Sequence, residues 1–520
     1  MDGLARLLPG TSTTKEDGLI RLRTFLPLIG AFAAQGAAAV DSSEILFQDS
    51  PVRSYSIDFY GDTAWNTKLE AMWKADSGYL PARFFDGRTT LDSVGVRYKG
   101  NSSFTLAGNN PKKPLKIKFN EFKDTTYFGI KVLNFSNGIG DPSLMRERIG
   151  YAIARRLMPA PRANFAHITL AGAALGLYTQ VEQIDKTFLK RWFNSSKGNL
   201  FKAGDDGASL SWLGDDARAY AASGDYELKT NEDESNWNGF ARFVGFLDNS
   251  SDSVFCADRG GYFDDANVAR FLAFNTVLSH FDSYNGSGRN WYMYQPDTAS
   301  PRMTMIPWDL NLSFGAYGGA SGALSLALDT VQAPLADRPL FRRFLACPAT
   351  RAAYLQAVRE LVADAASTDS VATMVVRDSA FLAPFVESDA NKFYSTAAWK
   401  TNLRANVRGS EGLVLGLVSF SSERNARLSA QLESRTNVEP GSRPRPWRMV
   451  RTGNTWRMDG LERLGSGRIR WSGPDGRLLG STSFAVGTSS IELPLPAGIV
   501  IVSVRSVRAS HASIVHNNRK

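Results

Sequence analysis

Asp282, Asn290 and Asp309 are the residues whose types and spacing could do chemistry. They lie in His280-Phe281-Asp282-Ser283-Tyr284, in Gly288-Arg289-Asn290-Trp291-Tyr292, and in Ile306-Pro307-Trp308-Asp309-Leu310-Asn311. Asn amide and Asp carboxylate oxygens suit Mg²⁺, which prefers oxygen ligands and keeps waters and substrate phosphates in its shell. A second Asp could accept a proton from an attacking hydroxyl. The competing reading makes Asp282 and Asp309 ordinary turn and cap residues.

The elements that must position these groups follow from periodicity. An alternating run over 94–99 predicts a strand, and Gly100-Asn101-Ser102-Ser103 a turn-forming loop. Residues 115–119 alternate again, with Lys116 and Lys118 on the face opposite the apolar residues. Asp141-Pro142 predicts a helix start, an N-cap followed by Pro, with Leu144, Met145, Ile149, Ala152, Ile153 and Leu157 on one face and Pro159 at the end. Residues 165–170 and 177–181 read as a hairpin around Gly172. A helix over 268–280 leads to Asp282, and strands over 290–294 and 303–306 flank the other two polar residues. Beyond Pro339 the period is mostly helical, over 340–345 and 352–361. The first half is therefore β-rich with one helix, and the second half helix-rich.

The whole chain bounds these readings. Its 520 residues suggest two to four domains, or one large domain with appendages. With 43% apolar and 21% charged residues the composition is globular. A net charge of +9 without a long basic block does not point to nucleic acid. Two cysteines, Cys256 and Cys347, exclude a disulfide scaffold and a cysteine metal cluster; nothing in the sequence places them together. HExxH, the Walker phosphate loop and GxSxG are absent. Arg21-Leu22-Arg23, an apolar stretch over 25–39 and Ala37-Ala38-Ala39 form the three parts of a secretory signal peptide over 1–39; a buried helix is the rival reading. The main unit then spans 40–435, a Pro-rich linker 436–450, and a small all-β module 451–520, a candidate sandwich. No later segment is apolar enough to span a bilayer, so the expected location is secreted or cell-surface.

Seen together, these stretches resemble the spore-coat-protein-H (CotH) kinase-like family. The carriers are Val96-Arg97-Tyr98-Lys99-Gly100-Asn101-Ser102-Ser103, Lys112-Lys113-Pro114-Leu115-Lys116-Ile117-Lys118-Phe119, Asp141-Pro142-Ser143-Leu144-Met145-Arg146-Glu147 and Pro161-Arg162-Ala163. Gly176-Leu177-Tyr178, Val181-Glu182-Gln183-Ile184-Asp185-Lys186, Gly198-Asn199-Leu200-Phe201-Lys202 and the Asp282, Asn290, Asp309 set follow in order. Each is weak alone; their order from about residue 45 to 430 is specific. The resemblance implies an α+β, two-lobed, atypical protein-kinase-like fold that binds ATP and Mg²⁺ and phosphorylates protein hydroxyls. It implies phosphate contacts from Arg97 and from Gly100, Asn101, Ser102 and Ser103. It implies a phosphate-pairing lysine, Lys116 or Lys118, held by Glu147, and an adenine contact near Glu182 and Gln183. Asp282 would be the base, with Asn290 and Asp309 as metal ligands. The rival readings are that the lysines only cover a sheet face and that Glu147 only pairs with an arginine of its own helix. Unlike ordinary protein kinases, the chain lacks GxGxxG, His-Arg-Asp and Asp-Phe-Gly, and its Asp-to-Asn gap is longer.

The C-terminal Leu493-Pro494-Leu495-Pro496-Ala497-Gly498-Ile499 and basic tail resemble a type IX secretion sorting domain, which implies outer-membrane secretion machinery as a partner. Val500 stands where that pattern has an aromatic, and a generic β-sandwich accessory module is the alternative. Three function classes are thus set out: an active kinase acting on an unidentified protein substrate, a catalytically silent surface or coat scaffold, and an adhesion protein using Trp192, Trp212 or Trp237 to stack on sugars.

Overall fold

Alternating burial from Arg53 onward closes a sheet on itself. The structure is a computed structural model that describes residues 41–436, except 50, 300, 410 and 411, and most of 448–517. Seven strands, β1 (Arg53–Asp58), β2 (Leu80–Phe85), β3 (Thr90–Tyr98), β4 (Leu115–Lys118), β5 (Val132–Ser136), β6 (Ala163–Leu170) and β7 (Ala173–Glu182), form a barrel in the order β1-β2-β3-β4-β5-β7-β6. The closing pair, β1 with β6, is parallel, with Tyr55 opposite Ile168. Inward side chains such as Tyr55, Phe84, Phe119 and Phe135 are buried and pack as tilted and edge-on rings.

More helices lie within this first half than the single one expected. Helix α1 (Trp65–Lys74) buries only Leu69 and has no side-chain N-cap, so it carried little signal. Its Trp73 stacks on Phe104 at 3.8 Å between centroids. Phe104 belongs to a one-turn helix, α2 (Ser102–Leu106), so Ser102 and Ser103 open a helix rather than extend a loop. Helix α3 (Arg146–Ala154) starts later than Asp141-Pro142 predicted. Leu144 is left-handed at φ 59°, which a helix cannot accommodate. Asp141 instead spans the gap, accepting from the backbone N–H of Ser143 and Arg146 at 2.9 Å and pairing with the Arg146 guanidinium.

Past the barrel come α4 (Lys186–Phe193), β8 (Asn199–Ala203), α5 (Ala217–Ala222), β9 (Tyr226–Leu228), α6 (Asn238–Asn249), α7 (Asp252–Asp258) and α8 (Asp265–Val277). Asp264 caps α8 by accepting from the N–H of Ala266 and Asn267. Strands β10 (Trp291–Gln295) and β11 (Thr304–Pro307) join β8 and β9 in a sheet ordered β11-β10-β8-β9. Helices α9 (Ala320–Ser325), α10 (Pro339–Ala346), α11 (Pro348–Ala363), α12 (Thr368–Ser388), α13 (Thr396–Asn402) and α14 (Leu417–Thr436) complete this region, with a small ladder of β12 (Val407–Gly409) and β13 (Gly412–Val414). One large apolar core runs through it, from Ile149 on α3 to Leu428 on α14. Cys256 and Cys347 form a disulfide across this core, with Cα atoms 5.5 Å apart.

Barrel and helices are tied together by a buried ion pair. Lys112 Nζ sits 2.5 Å from Asp389, just beyond α12, and both side chains are fully buried. Asp389 also accepts from the N–H of Leu177 on β7 at 3.0 Å. Gly176 has φ 104° and lies so close to that carboxylate that a Cβ would collide with it.

Beyond Arg448, β14 (Arg448–Thr452), β15 (Thr455–Asp459) and β18 (Ser490–Leu493) form one antiparallel sheet. β16 (Gly467–Ser472), β17 (Leu478–Phe484), β19 (Gly498–Ser506) and β20 (Ser510–Asn517) form another. Met458 and Leu493 of the first share a core with Ile469, Phe484 and Val502 of the second. The chain is thus α+β. Residues 1–39, 437–447 and 496–497, which bear on the leader, the linker and the sorting motif, lie outside the described residues.

Candidate active site

The base of the β10–β11 hairpin brings two of the three polar residues together. Trp291 pairs with Pro307, so Asn290 and Trp308 are the next positions outward, and Trp308 N–H donates to the Asn290 carbonyl at 3.1 Å. Asp309 follows directly. Asn290 and Asp309 both take left-handed backbone, φ 59° and 50°. Asn and Asp enter that region more readily than other non-glycine residues. The Tyr151 hydroxyl of α3 accepts from the Asp309 backbone N–H at 2.9 Å.

Asp282 comes to the same place from the end of α8. The Asn290 side-chain NH₂ donates to the Asp282 main-chain carbonyl at 2.8 Å and to its Oδ2 at 2.9 Å. Asp282 Oδ1 is buried without a hydrogen-bond partner. His280 sits behind, fully buried, and burial pulls its imidazole down to about 4 against the opposing pull of Asp282, so it is neutral at pH 7.

Glu147 faces this group from α3. Its side chain is buried and Oε2 has no hydrogen-bond partner. Burial, reinforced by Asp309, pushes its carboxyl up to about 8, against the pull of Lys99. Asp309 is raised too, chiefly by burial, with Lys99 opposing and Asp282 reinforcing. Several acids are thus held close with too little positive charge among them.

The barrel contributes the cations. Lys99 follows β3, and its Nζ lies 5.8 Å from the Trp308 ring centroid, so a barrel lysine touches the residue before Asp309. Lys116, on β4 opposite Arg97, has no acid within ion-pair distance among the described residues. Burial and then Lys99, Lys229, Arg97 and Lys202 bring its ammonium down to about 7. Lys118 instead pairs with Glu121 at 2.6 Å. Neither lysine is bonded to Glu147, which meets the charge of Lys99. Lys202 on β8 pairs with Glu227 at 2.5 Å.

The other predicted residues fall around this centre. Arg97 pairs with Asp76 at 2.5 Å. Gly100 is left-handed at φ 72°, and its carbonyl accepts from the Trp73 indole at 2.8 Å. Asn101 precedes α2, while Ser102 and Ser103 open it. Gln183, past the end of β7, accepts from the Asn134 amide at 3.1 Å and hydrogen-bonds the Tyr292 hydroxyl. Glu182 is buried, with its carboxylate bound by Arg162 at 2.8 Å and Arg191 at 2.5 Å. Lys99, Tyr151, His280 and Lys202 were not singled out from the sequence. Lys99 had one signal, its place at the end of the alternating run before Gly100. Of the three tryptophans, Trp237 is buried and Trp212 is exposed.

Among the described residues, no three His, Cys, Asp or Glu side chains converge as a metal cage. Mg²⁺ does not require one, because one or two carboxylates plus substrate phosphates suffice. The raised Asp309 carboxyl and the Asn290 amide oxygen, left over once its NH₂ has donated to Asp282, fit a hard divalent cation at this point.

The CotH kinase protein family matches residues 96–425, which span Lys99, Glu147, Asp282, Asn290 and Asp309. The chain belongs to that family. Within it, this CotH kinase family member is similar to the inner spore coat protein H of Bacillus subtilis (strain 168), with 26% identity over 243 residues. That match covers 46% of this chain and 64% of the relative, a little under two thirds of the relative's length.

Proposed function

We propose that this CotH family member is an atypical protein kinase that transfers the γ-phosphoryl group of ATP to a Ser or Thr hydroxyl of a protein. The observation that carries the reading is the meeting of Asp282, Asn290 and Asp309, from α8 and the β10–β11 hairpin, with Glu147 of α3 and Lys99 of the barrel. Asp309 and the Asn290 amide oxygen would hold Mg²⁺, which supplies charge neutralisation for the phosphates. Lys99 and Lys116 meet phosphate oxygens, helped by the segment from Gly100 to Ser103. Gln183 lies on the adenine side, and Glu182 braces it through Arg162 and Arg191. The free Oδ1 of Asp282 accepts the proton of the acceptor hydroxyl as its oxygen bonds to phosphorus, and ADP leaves with the electron pair of the broken P–O bond. Tyr151 fixes α3 to the Asp309 backbone, and Glu147 of the same helix meets the charge of Lys99.

The barrel and the helix-rich region serve in this reading as the two lobes around the nucleotide. A leader cleaved near Ala39 and the C-terminal β module would take the protein to the surface or outside, the latter through outer-membrane secretion machinery. No described helix is long and apolar enough to cross a membrane. The test is incubation of the purified chain with γ-labelled ATP, Mg²⁺ and a mixture of acceptor proteins, beside Asp282→Ala. Label on protein that depends on Asp282 supports the kinase. No label and no nucleotide binding would leave the silent scaffold.

A further inference from the structure

We propose that the outer face of α3 is an effector site for a small amphipathic anion, an apolar body bearing one phosphate or carboxylate group. Arg148, Ala152 and Arg155 recur at i, i+4 and i+7 and so share one face of the helix. With Phe47, Met374 and Arg377 they border a cavity of about 680 Å³, well within the size range of small-molecule sites. Phe47, Ala152 and Met374 give it apolar lining.

Its cations are unequally satisfied. Asp49 is already shared between Arg148 and Arg377, and Asp378 binds Arg377 as well. Arg148 is 5% exposed, yet its Nε has no partner. Arg155 has no acid within ion-pair distance among the described residues, and burial and then Arg191 hold its guanidinium below its ordinary range. A bound anion would pair with the Arg155 guanidinium and add negative charge beside Arg148. Asp369 also lines the cavity, so a second anionic group would be repelled there.

Glu147 and Tyr151 lie one residue before Arg148 and Ala152, on the face of the same nine-residue helix that meets Asp309. Filling the cavity therefore moves or stiffens the helix that sets the catalytic acids. This coupling rests on the kinase reading; the binding site does not.

The test is calorimetric titration of the full chain with hexyl phosphate, against inorganic phosphate and 1-hexanol. Hexyl phosphate should bind about tenfold or more tighter than either control. Arg155→Gln and Ala152→Phe should each weaken it by about tenfold or more, with unchanged unfolding midpoints. No binding, equal binding of inorganic phosphate, or parental affinity in both variants would overturn the site. Saturating hexyl phosphate should also change Mg²⁺–ATP affinity by about fivefold or more. Unchanged nucleotide affinity in protein that binds hexyl phosphate would overturn the coupling. Protein that binds hexyl phosphate but no nucleotide would keep the site and sink the kinase reading.

Discussion

Asn290 gives its side-chain NH₂ to Asp282 twice, at the main-chain carbonyl and at Oδ2. That leaves the Asn290 amide oxygen and Asp282 Oδ1 for other partners. One residue thereby orients the candidate base and leaves its own amide oxygen as a candidate metal ligand.

Asp282 and Asp309 should fail differently when removed. Asp309→Ala should weaken metal-dependent nucleotide binding and transfer together. Asp282→Ala should keep Mg²⁺–ATP binding while transfer drops by roughly 10²–10⁴-fold. Calorimetry with and without Mg²⁺, paired with transfer rates at saturating ATP, separates the two. Transfer at the parental rate in Asp282→Ala would remove it from the base role.

Nucleotide binding should take up a proton on Lys116. Burial and neighbouring cations bring its ammonium from an ordinary 10.5 to about 7, so at pH 8 the free protein holds it mostly neutral. Bound phosphates favour the charged form and reverse that shift. Binding heats at pH 8 in buffers of different ionisation enthalpy should reveal an uptake of up to about one proton, lost in Lys116→Met. The same uptake in the variant would place the proton elsewhere.

Glu147 should make the protein less stable as pH rises. Its carboxyl is raised from 4.5 to about 8, so the folded state holds the proton more tightly than the unfolded chain. The stabilisation is full below about 4.5 and is lost as pH rises through about 8. Melting temperatures of Glu147→Gln should gain on the parent between about pH 5 and 8 and level off above that. A constant difference over that range would contradict the assignment.

The disulfide closes a separation of 91 residues. Its removal in Cys256→Ser/Cys347→Ser should cost about 2–4 kcal/mol. Denaturant unfolding with and without reductant measures this; equal midpoints in the parent would mean that the bond adds nothing.

The Lys112–Asp389 pair should be costly to break from one side. Lys112→Met leaves a buried carboxylate without its cation and should lose about 3–5 kcal/mol, read by denaturant unfolding. A loss below about 1 kcal/mol, the scale of an exposed pair, would show that water reaches the site.

Much of the site was legible because it rests on local geometry. Asp282, Asn290 and Asp309 were readable as polar residues at the ends of a helix and a hairpin, and the hairpin pairing Trp291 with Pro307 turns that spacing into proximity. What stayed hidden depended on distant partners or competing local bonds. The alternation of β4 puts Lys116 and Lys118 on one face, but Glu121 in the following turn engages only Lys118. Helix α1 lacked both a cap and a broad apolar face. Asp141 looked like an N-cap but serves an irregular segment first. Cys256 and Cys347 meet only through packing of α7 against α10, which Cys347 directly follows.

The Lys112–Asp389 pair also sets an order in time. Asp389 lies 277 positions beyond Lys112, although the last barrel strand ends at Glu182. A ribosome will therefore have released every barrel strand long before the carboxylate that neutralises Lys112 exists. Until it arrives, the Lys112 ammonium near the Tyr178 ring has no carboxylate to pair with. The barrel is made first and finished late, when the helices that cover it are already at hand.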